Sequence, residues 1–127
     1  MRLIVGGCYQ GKFEYAINTY GIDKENVYTA ALPKKNEVHN TTIVINKLNE
    51  IVKMCLKQGD NPEEMIMEFV EKYPDSIIIS DEIGNGIVPM DKFEREYREC
   101  TGRLLITLAK EAESVERVIC GISQRIK

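Results

Sequence analysis

A glycine-rich stretch near the amino terminus constrains the fold of this 127-residue chain more than any other feature. The apolar residues 3–5 predict a buried strand, and the sequence Gly-Gly-Cys-Tyr-Gln-Gly-Lys follows at residues 6–12. An amphipathic segment begins after Lys12 and predicts a helix that ends at Gly21, a residue suited to a left-handed cap. We call residues 6–12 the glycine loop. A strand, a tight loop and a helix in this order are typical of a loop that binds phosphate.

The spacing within the glycine loop also predicts phosphate binding. Gly6 and Gly11 are separated by four residues, and Lys12 follows directly. Successive backbone N–H groups of such a loop form an anion cradle, the positive end of the following helix adds to it, and the lysine reaches the outer phosphates. The predicted nucleotide-binding residues are Gly6, Gly7, Cys8, Tyr9, Gln10, Gly11, Lys12 and Phe13.

The motif breaks at its last position. A Ser or Thr there would supply the hydroxyl that holds Mg²⁺ beside the phosphates, whereas Phe13 has no ligand atom. Its phenyl ring is suited to packing beneath the sheet instead. Two interpretations of the loop stay open: a cradle that still binds phosphate through its backbone, and a glycine-rich turn that binds nothing.

A second strand is predicted at residues 76–82, where three consecutive isoleucines indicate burial on both faces, as in a parallel sheet between helix layers. This strand ends in Asp81 and Glu82. In open parallel sheets ligands bind beyond the carboxyl ends of the strands. If the strand runs parallel to residues 3–5, the two acids lie at the same edge as the glycine loop. Either acid could then hold Mg²⁺ or accept a proton, and Asp81 is our predicted metal ligand.

The remaining pattern alternates between strand and helix. A strand is predicted at residues 26–30, and the final strand covers residues 115–122, with residues 124–127 continuing it or pairing with it. Helices are predicted at residues 41–57, at 61–72 after an Asn61 cap, and at 91–113 after an Asp91 cap. This order predicts an α/β fold, with a mostly parallel sheet and helices on both faces, as a single domain over residues 1–127.

The composition of the chain limits the kinds of partner and the cellular compartment that can be expected. A net charge of −3 without a basic block does not favour nucleic acid as a partner. No apolar run approaches the roughly 20 residues that cross a bilayer, and the amino terminus does not resemble a signal peptide, so no membrane is expected. The four cysteines have no C-x-x-C spacing, which indicates free thiols in a reducing compartment. The sequence therefore predicts a cytoplasmic protein.

The carboxyl-terminal part of the chain carries a family pattern. Residues 81–89 read Asp-Glu-Ile-Gly-Asn-Gly-Ile-Val-Pro, Gly121 stands near the end, and a helical motif lies between them, formed by Arg95, Arg98, Gly102 and Arg103. This stretch resembles the adenosylcobinamide kinase / adenosylcobinamide-phosphate guanylyltransferase family, phosphate-loop enzymes of cobalamin assembly. The glycine loop resembles the G-G-x-x-S-G-K-S of that family, with Gln10 and Phe13 in place of its two serines.

The resemblance implies a three-layer P-loop NTPase-like fold that binds a nucleoside triphosphate. It also implies Mg²⁺ with GTP or ATP as cofactors, a corrinoid substrate, and self-association into a homo-oligomer. If the kinase reaction takes place, the physics of phosphoryl transfer assigns catalysis to Lys12 together with Asp81 or Glu82, and contact with phosphate or substrate to Arg95 or Arg98. The alternative for the two arginines is salt bridging on the helix surface.

Full-length members of the family carry a long insertion between the second and third strands, with the histidine that takes up guanylate. Only residues 31–38 occupy that place here, so we expect no guanylyltransferase step. The family's third strand, with its terminal acid, aligns near residues 39–42, and His39 therefore receives no nucleophile role. Two functions stay open: NTP-dependent phosphorylation of a cobinamide-type hydroxyl, and a non-catalytic nucleotide- or phosphate-binding relative with a regulatory or structural role.

Overall fold

The computed structural model describes residues 1–34, 42–83 and 91–127, which contain six strands and four α-helices. The strands are β1 (Arg2–Gly6), β2 (Val27–Thr29), β3 (Val44–Asn46), β4 (Ile77–Asp81), β5 (Ser114–Ile119) and β6 (Ile122–Arg125). The helices are α1 (Lys12–Tyr20), α2 (Leu48–Gln58), α3 (Pro62–Lys72) and α4 (Lys92–Glu111). His39 and the glycines at 84 and 86 lie outside the described residues.

The six strands form one sheet in the order β2-β3-β4-β1-β5-β6. Every neighbouring pair is parallel except β5 and β6, which are antiparallel. The register places Gly6 opposite Asp81, so the carboxyl ends of β1 and β4 meet at the same edge of the sheet. The predicted α/β class, with a mostly parallel sheet, is confirmed, and so is the parallel pairing on which the predicted site depended.

Each face of the sheet carries its own apolar cluster, and the three isoleucines of β4 divide between them. Ile78 packs with residues of α2, α3 and α4 on one face, including Leu48, Ile66 and Leu104. Ile77 and Ile79 pack on the other face with Ala16 of α1. Side chains of one strand alternate between the two faces, so this division produces three layers, helix on sheet on helix.

The three predicted helix caps, at Gly21, Asn61 and Asp91, are confirmed. Gly21 follows α1 with a φ of 61°, in the left-handed region that glycine adopts without strain. The Asn61 side chain accepts a hydrogen bond from the Glu64 N–H at 3.2 Å, at the start of α3. Asp91 accepts from the Phe93 N–H at 2.9 Å, at the start of α4.

The predicted helix over residues 41–57 is wrong in its first part, because residues 44–46 form strand β3 between β2 and β4. Ile43, Val44 and Ile45 are fully buried, and their branched side chains pack well on a pleated sheet. Lys47, with a φ of 59°, turns the chain into α2. The third strand among the described residues thus covers Val44–Asn46, further along the chain than the family alignment predicted, and it ends in Asn46, an amide rather than an acid.

The carboxyl-terminal residues pair with β5 instead of continuing it. A two-residue turn of Cys120 and Gly121 connects β5 to β6, and both residues have positive φ, 51° and 76°. Positive φ at both central residues is the geometry of the tightest hairpin turns. No helix in the described parts of the chain is long and apolar enough to span a membrane.

Candidate phosphate-binding site

The glycine loop leaves the end of β1 beside the backbone of β5. A Cβ atom at Gly6 would lie 2.5 Å from the carbonyl oxygen of Val118, so no side chain fits there. At the other end of the loop Gly11 has a φ of 86°, and α1 begins directly after it. Both glycines of the spacing motif are therefore required by local geometry, one by close approach and one by conformation.

Lys12 folds back over the glycine loop. Its Nζ donates a hydrogen bond to the carbonyl oxygen of Gly7 at 2.7 Å and lies 2.6 Å from Oδ1 of Asp81. The lysine is only 6% exposed. An ammonium group so far removed from water needs a partner of opposite charge, and Asp81 is that partner. The structure thus brings together two residues that sequence analysis placed at one edge of the sheet.

The backbone donors of the loop are not used internally. Within the described residues, no hydrogen bond has the N–H of residues 8–12 as its donor. These residues line a cleft of about 170 Å³ together with Phe13, Asn46, Lys47 and Asp81. Pockets for drug-sized ligands run from about 300 to 1,000 Å³. The cleft therefore matches the phosphate part of a nucleotide better than a whole one.

Asp81 is held in place by a buried amide. Its N–H donates to Oδ1 of Asn49 at 3.2 Å, and the Asn49 side chain also bonds the hydroxyl of Tyr97. Burial raises the pKa of Tyr97 above its ordinary value, with a smaller contribution from nearby carboxylates. Asn49 was missed by sequence analysis. The signal that could have revealed it is a polar residue on the otherwise apolar buried face of α2.

Glu82 is placed differently from its neighbour. Its N–H donates to the carbonyl oxygen of Gly6 at 2.7 Å, and its carboxylate pairs with Arg117 of β5. The terminal nitrogen of Arg117 donates a hydrogen bond to Oε2 at 3.0 Å, and Nε lies 2.8 Å from Oε1 as an ion-pair contact without a hydrogen bond. Of the two predicted acids, Asp81 therefore contacts the lysine of the loop, whereas Glu82 links β4 to β5.

Phe13 is half-buried and packs against the apolar cluster of Ile4, Ala16 and Val118. The ring thus lies beneath the sheet, as the sequence suggested, and supplies no oxygen to the cleft. Arg95 and Arg98 occupy the first two turns of α4. Neither is among the described residues that line the cleft.

The residues that line the cleft could bind a magnesium ion only in one way, together with phosphates and water. Mg²⁺ is typically held by one or two carboxylates together with substrate phosphates and water. Asp81 is the carboxylate in the described lining of the cleft, and no cluster of three or more His, Cys, Asp or Glu residues occurs in the described part of the chain. The site therefore fits a magnesium ion shared with bound phosphates, and Asp81 is the residue that would hold it.

Comparison with known proteins agrees with the resemblance seen in the sequence. A sequence model described as cobinamide kinase / cobinamide phosphate guanyltransferase, CobU, matches residues 29–126. The chain belongs to the CobU family. Because this match begins after the glycine loop, the CobU assignment and the geometry of the loop are separate observations.

Two curated CobU relatives, each named bifunctional adenosylcobalamin biosynthesis protein CobU, match part of the chain. The protein of Salmonella typhimurium is 30% identical over 69 residues, which cover 54% of this chain and 38% of the relative. That of Escherichia coli is 37% identical over 75 residues, 58% of this chain and 41% of the relative. The matched segment thus spans about two fifths of the length of these CobU proteins.

Proposed function

We propose that this CobU-family chain binds the phosphates of a nucleoside triphosphate, GTP or ATP, in the glycine loop. The observation that carries the proposal is the position of Lys12, a buried cation at a loop in which the N–H groups of residues 8–12 have no donor role among the described residues. In the ligand-free chain Asp81 balances the charge of Lys12. A triphosphate brings several negative charges to the same place and can take over that partnership.

Each residue of the site has a part in this proposal. The N–H groups of residues 7–12 bind the β- and γ-phosphates, and the positive amino-terminal end of α1 adds to their attraction. Lys12 offsets the charge that the two phosphates share. Asp81 holds the magnesium ion, directly or through water, and that ion supplies charge neutralisation at the phosphates when it is bound.

A second candidate function is phosphoryl transfer to the hydroxyl of a cobinamide-type substrate. It is favoured by the position of Asp81, whose carboxylate lies at the glycine loop and can hold the metal or accept the proton of an attacking hydroxyl. In phosphoryl transfer the protein contributes chiefly positioning and charge stabilisation, which Lys12 and the loop provide. Glu82, Arg95 and Arg98 keep their predicted catalytic and substrate-binding roles as part of this candidate.

Two observations weigh for binding without transfer. Phe13 stands where the family pattern has the hydroxyl that holds Mg²⁺, and its ring is committed to the apolar cluster. Asn46 ends the third strand, where the family pattern has an acid. Phe13 removes an oxygen ligand for a metal, and Asn46 replaces a charged oxygen ligand with a neutral one, while the backbone cradle is unaffected by either change. The proposal does not include guanylyl transfer, because only residues 31–38 stand in place of the segment that carries the histidine.

Isothermal titration calorimetry with GTP and ATP, each with and without Mg²⁺, tests the binding proposal. We expect the triphosphates to bind more tightly than the corresponding monophosphates, because in this proposal Lys12 contacts the outer phosphates, which a monophosphate lacks. Absence of binding by both triphosphates and by inorganic tripolyphosphate would overturn the proposal.

A phosphoryl-transfer assay with cobinamide distinguishes nucleotide binding alone from phosphoryl transfer. The purified chain is incubated with cobinamide and a saturating, γ-phosphate-labelled triphosphate identified by calorimetry. Label that appears in cobinamide phosphate establishes transfer. Tight binding without any transfer identifies a nucleotide-binding protein in which the chemistry of the family is lost.

A further inference from the structure

Gln10, at the centre of the glycine loop, is bonded to a turn 110 residues further along the chain. Its carbonyl oxygen accepts a hydrogen bond from the N–H of Gly121 at 2.7 Å. Its side-chain Oε1 accepts another from the N–H of Cys120, also at 2.7 Å. One residue of the loop therefore binds two consecutive residues of the β5–β6 turn.

The turn itself explains why two donors are available there. Ile119 pairs with Ile122 at the end of the hairpin, so Cys120 and Gly121 are its two central residues. The central N–H groups of a two-residue turn have no partner on either strand. Gln10 satisfies both of them, which would otherwise be left to water.

Two further contacts join the glycine loop to the same hairpin. A Cβ atom at Gly6 would meet the Val118 carbonyl oxygen at 2.5 Å, and one at Gly11 would lie 3.3 Å from the Cα atom of Gly121. The beginning, the centre and the end of the loop thus all adjoin the hairpin. The side chain of Gln10 is the part of this contact that a substitution can remove without changing the backbone.

We propose that Gln10 is a positioning residue that fastens the glycine loop to the β5–β6 hairpin and keeps the loop in its phosphate-binding conformation. This inference rests on the proposed binding of a triphosphate and adds the carboxyl-terminal hairpin to that site. The glutamine side chain is longer than the serine of the family pattern, and in this chain its amide oxygen reaches the N–H of Cys120.

The physical basis is preorganisation. A glycine-rich loop that is mobile must be ordered when phosphate binds, and the entropy lost in that step weakens the affinity. A loop that is already tied to a hairpin loses less on binding. The side chain of Gln10 acts through the backbone of the loop, and its role is separable from the charge of Lys12.

The test compares the wild-type chain with Gln10→Met and Gln10→Glu. Methionine has nearly the same shape as glutamine but no strong acceptor, whereas glutamate keeps the acceptor and adds a charge. We expect Gln10→Met to weaken the binding of inorganic tripolyphosphate and of Mg²⁺-GTP about fivefold, the equivalent of one hydrogen bond of about 1 kcal/mol. Gln58→Met, an exposed change at the end of α2, is the matched control and leaves Kd unchanged.

Salt distinguishes positioning from charge. Gln10→Glu weakens phosphate binding at low salt by repulsion, and at 1 M NaCl, where the screening length is about 3 Å, its Kd approaches that of the wild type. The Kd of Gln10→Met stays about five times that of the wild type at both salt concentrations. Hydrogen exchange supplies a readout of the contact itself, since the amide of Cys120 loses protection in Gln10→Met and keeps it in Gln10→Glu.

The outcomes separate the two proposals. If the wild type binds tripolyphosphate and Gln10→Met binds it equally well, the positioning role of Gln10 is overturned and the phosphate site stands. If Gln10→Glu binds tripolyphosphate as weakly as Gln10→Met does at 1 M NaCl, the hydrogen-bond acceptor at position 10 does not contribute to the affinity, and the positioning role is likewise overturned. If the wild type binds neither tripolyphosphate nor nucleotide, the phosphate site fails and the positioning role fails with it.

Discussion

The Nζ atom of Lys12 lies 2.6 Å from Oδ1 of Asp81, although the two residues belong to segments almost seventy positions apart in the chain. The contact follows from the sheet, because β1 and β4 are parallel neighbours and Gly6 stands opposite Asp81. Each strand ends at the same edge, and the turn after β1 brings the lysine back over it. The cation of the proposed phosphate site is thus positioned by its contact with Asp81 before any ligand binds.

The first prediction is that removal of the Lys12 cation weakens the binding of triphosphate. Lys12→Ala deletes a charge-assisted contact to phosphate, for which about 2 kcal/mol corresponds to roughly a 30-fold loss of triphosphate affinity. Calorimetry measures the loss, and Lys24→Ala, an exposed lysine in a short turn before β2, is the control. An affinity that survives Lys12→Ala unchanged would mean that the triphosphate binds elsewhere.

The two acids at the end of β4 are predicted to differ in effect. Asp81→Asn keeps the shape of the side chain but removes the charge that faces Lys12, so we expect the gain in nucleotide affinity on adding Mg²⁺ to disappear. Glu82→Gln breaks the ion pair with Arg117, which is partly exposed, and lowers the free energy of unfolding by up to about 1 kcal/mol.

Titration with and without Mg²⁺, together with urea unfolding of both variants, checks the pair of expectations. The structure assigns the contact with Lys12 to Asp81 and the contact with β5 to Glu82. If the effect of Mg²⁺ were lost in Glu82→Gln and kept in Asp81→Asn, the metal ligand would be Glu82, and the role proposed for Asp81 would be overturned.

Sequence analysis identified this edge of the sheet because its signals are local. The glycine spacing, the apolar run before it and the acids after three isoleucines each lie within a few residues. Strand β3 was missed because a short apolar run fits a helix and a strand equally well. Residues 44–46 become a strand only through pairing with β2 and β4, which no local pattern records.

The partners that complete the site were beyond local reasoning for the same reason. Asn49 binds the backbone of Asp81 from a different helix, and Gln10 binds a turn near the other end of the chain. Such contacts depend on how separate elements pack, and the residues involved are ordinary polar ones with no motif of their own. Phe13 was predicted in part. The sequence shows that its side chain has no ligand atom for a metal, but it only suggests that the ring packs beneath the sheet.

A third prediction concerns Phe13. Phe13→Ser restores the hydroxyl of the family pattern and removes a half-buried ring from the cluster of Ile4 and Val118. We expect the free energy of unfolding to fall by about 1–3 kcal/mol and the effect of Mg²⁺ on triphosphate affinity to increase.

The control for Phe13→Ser is Phe13→Ala, which removes the same ring without adding an oxygen. Urea unfolding should give similar losses for the two variants, because both leave the apolar cluster unfilled. Calorimetry with Mg²⁺ should separate them. Equal affinities for the two variants would show that a hydroxyl at this position does not restore the metal site.

The last prediction is a loss of stability at alkaline pH, caused by groups that the fold keeps protonated. Burial raises the pKa of Tyr97 above 10.0 and that of Cys55 above 9.0. As pH rises through these ordinary values, the unfolded chain releases its protons while the folded chain keeps them. The unfolded state then binds fewer protons, so the free energy of unfolding falls with increasing pH.

Urea unfolding at intervals from pH 8 to pH 11 measures this slope. Tyr97→Phe lowers stability at every pH, because Asn49 loses a bonding partner, but it makes the decline above pH 10 shallower than in the wild type. Tyr9→Phe alters a side chain that is 99% exposed and serves as the control. A decline equally steep in Tyr97→Phe and in the wild type would show that burial of this hydroxyl does not govern the alkaline limit.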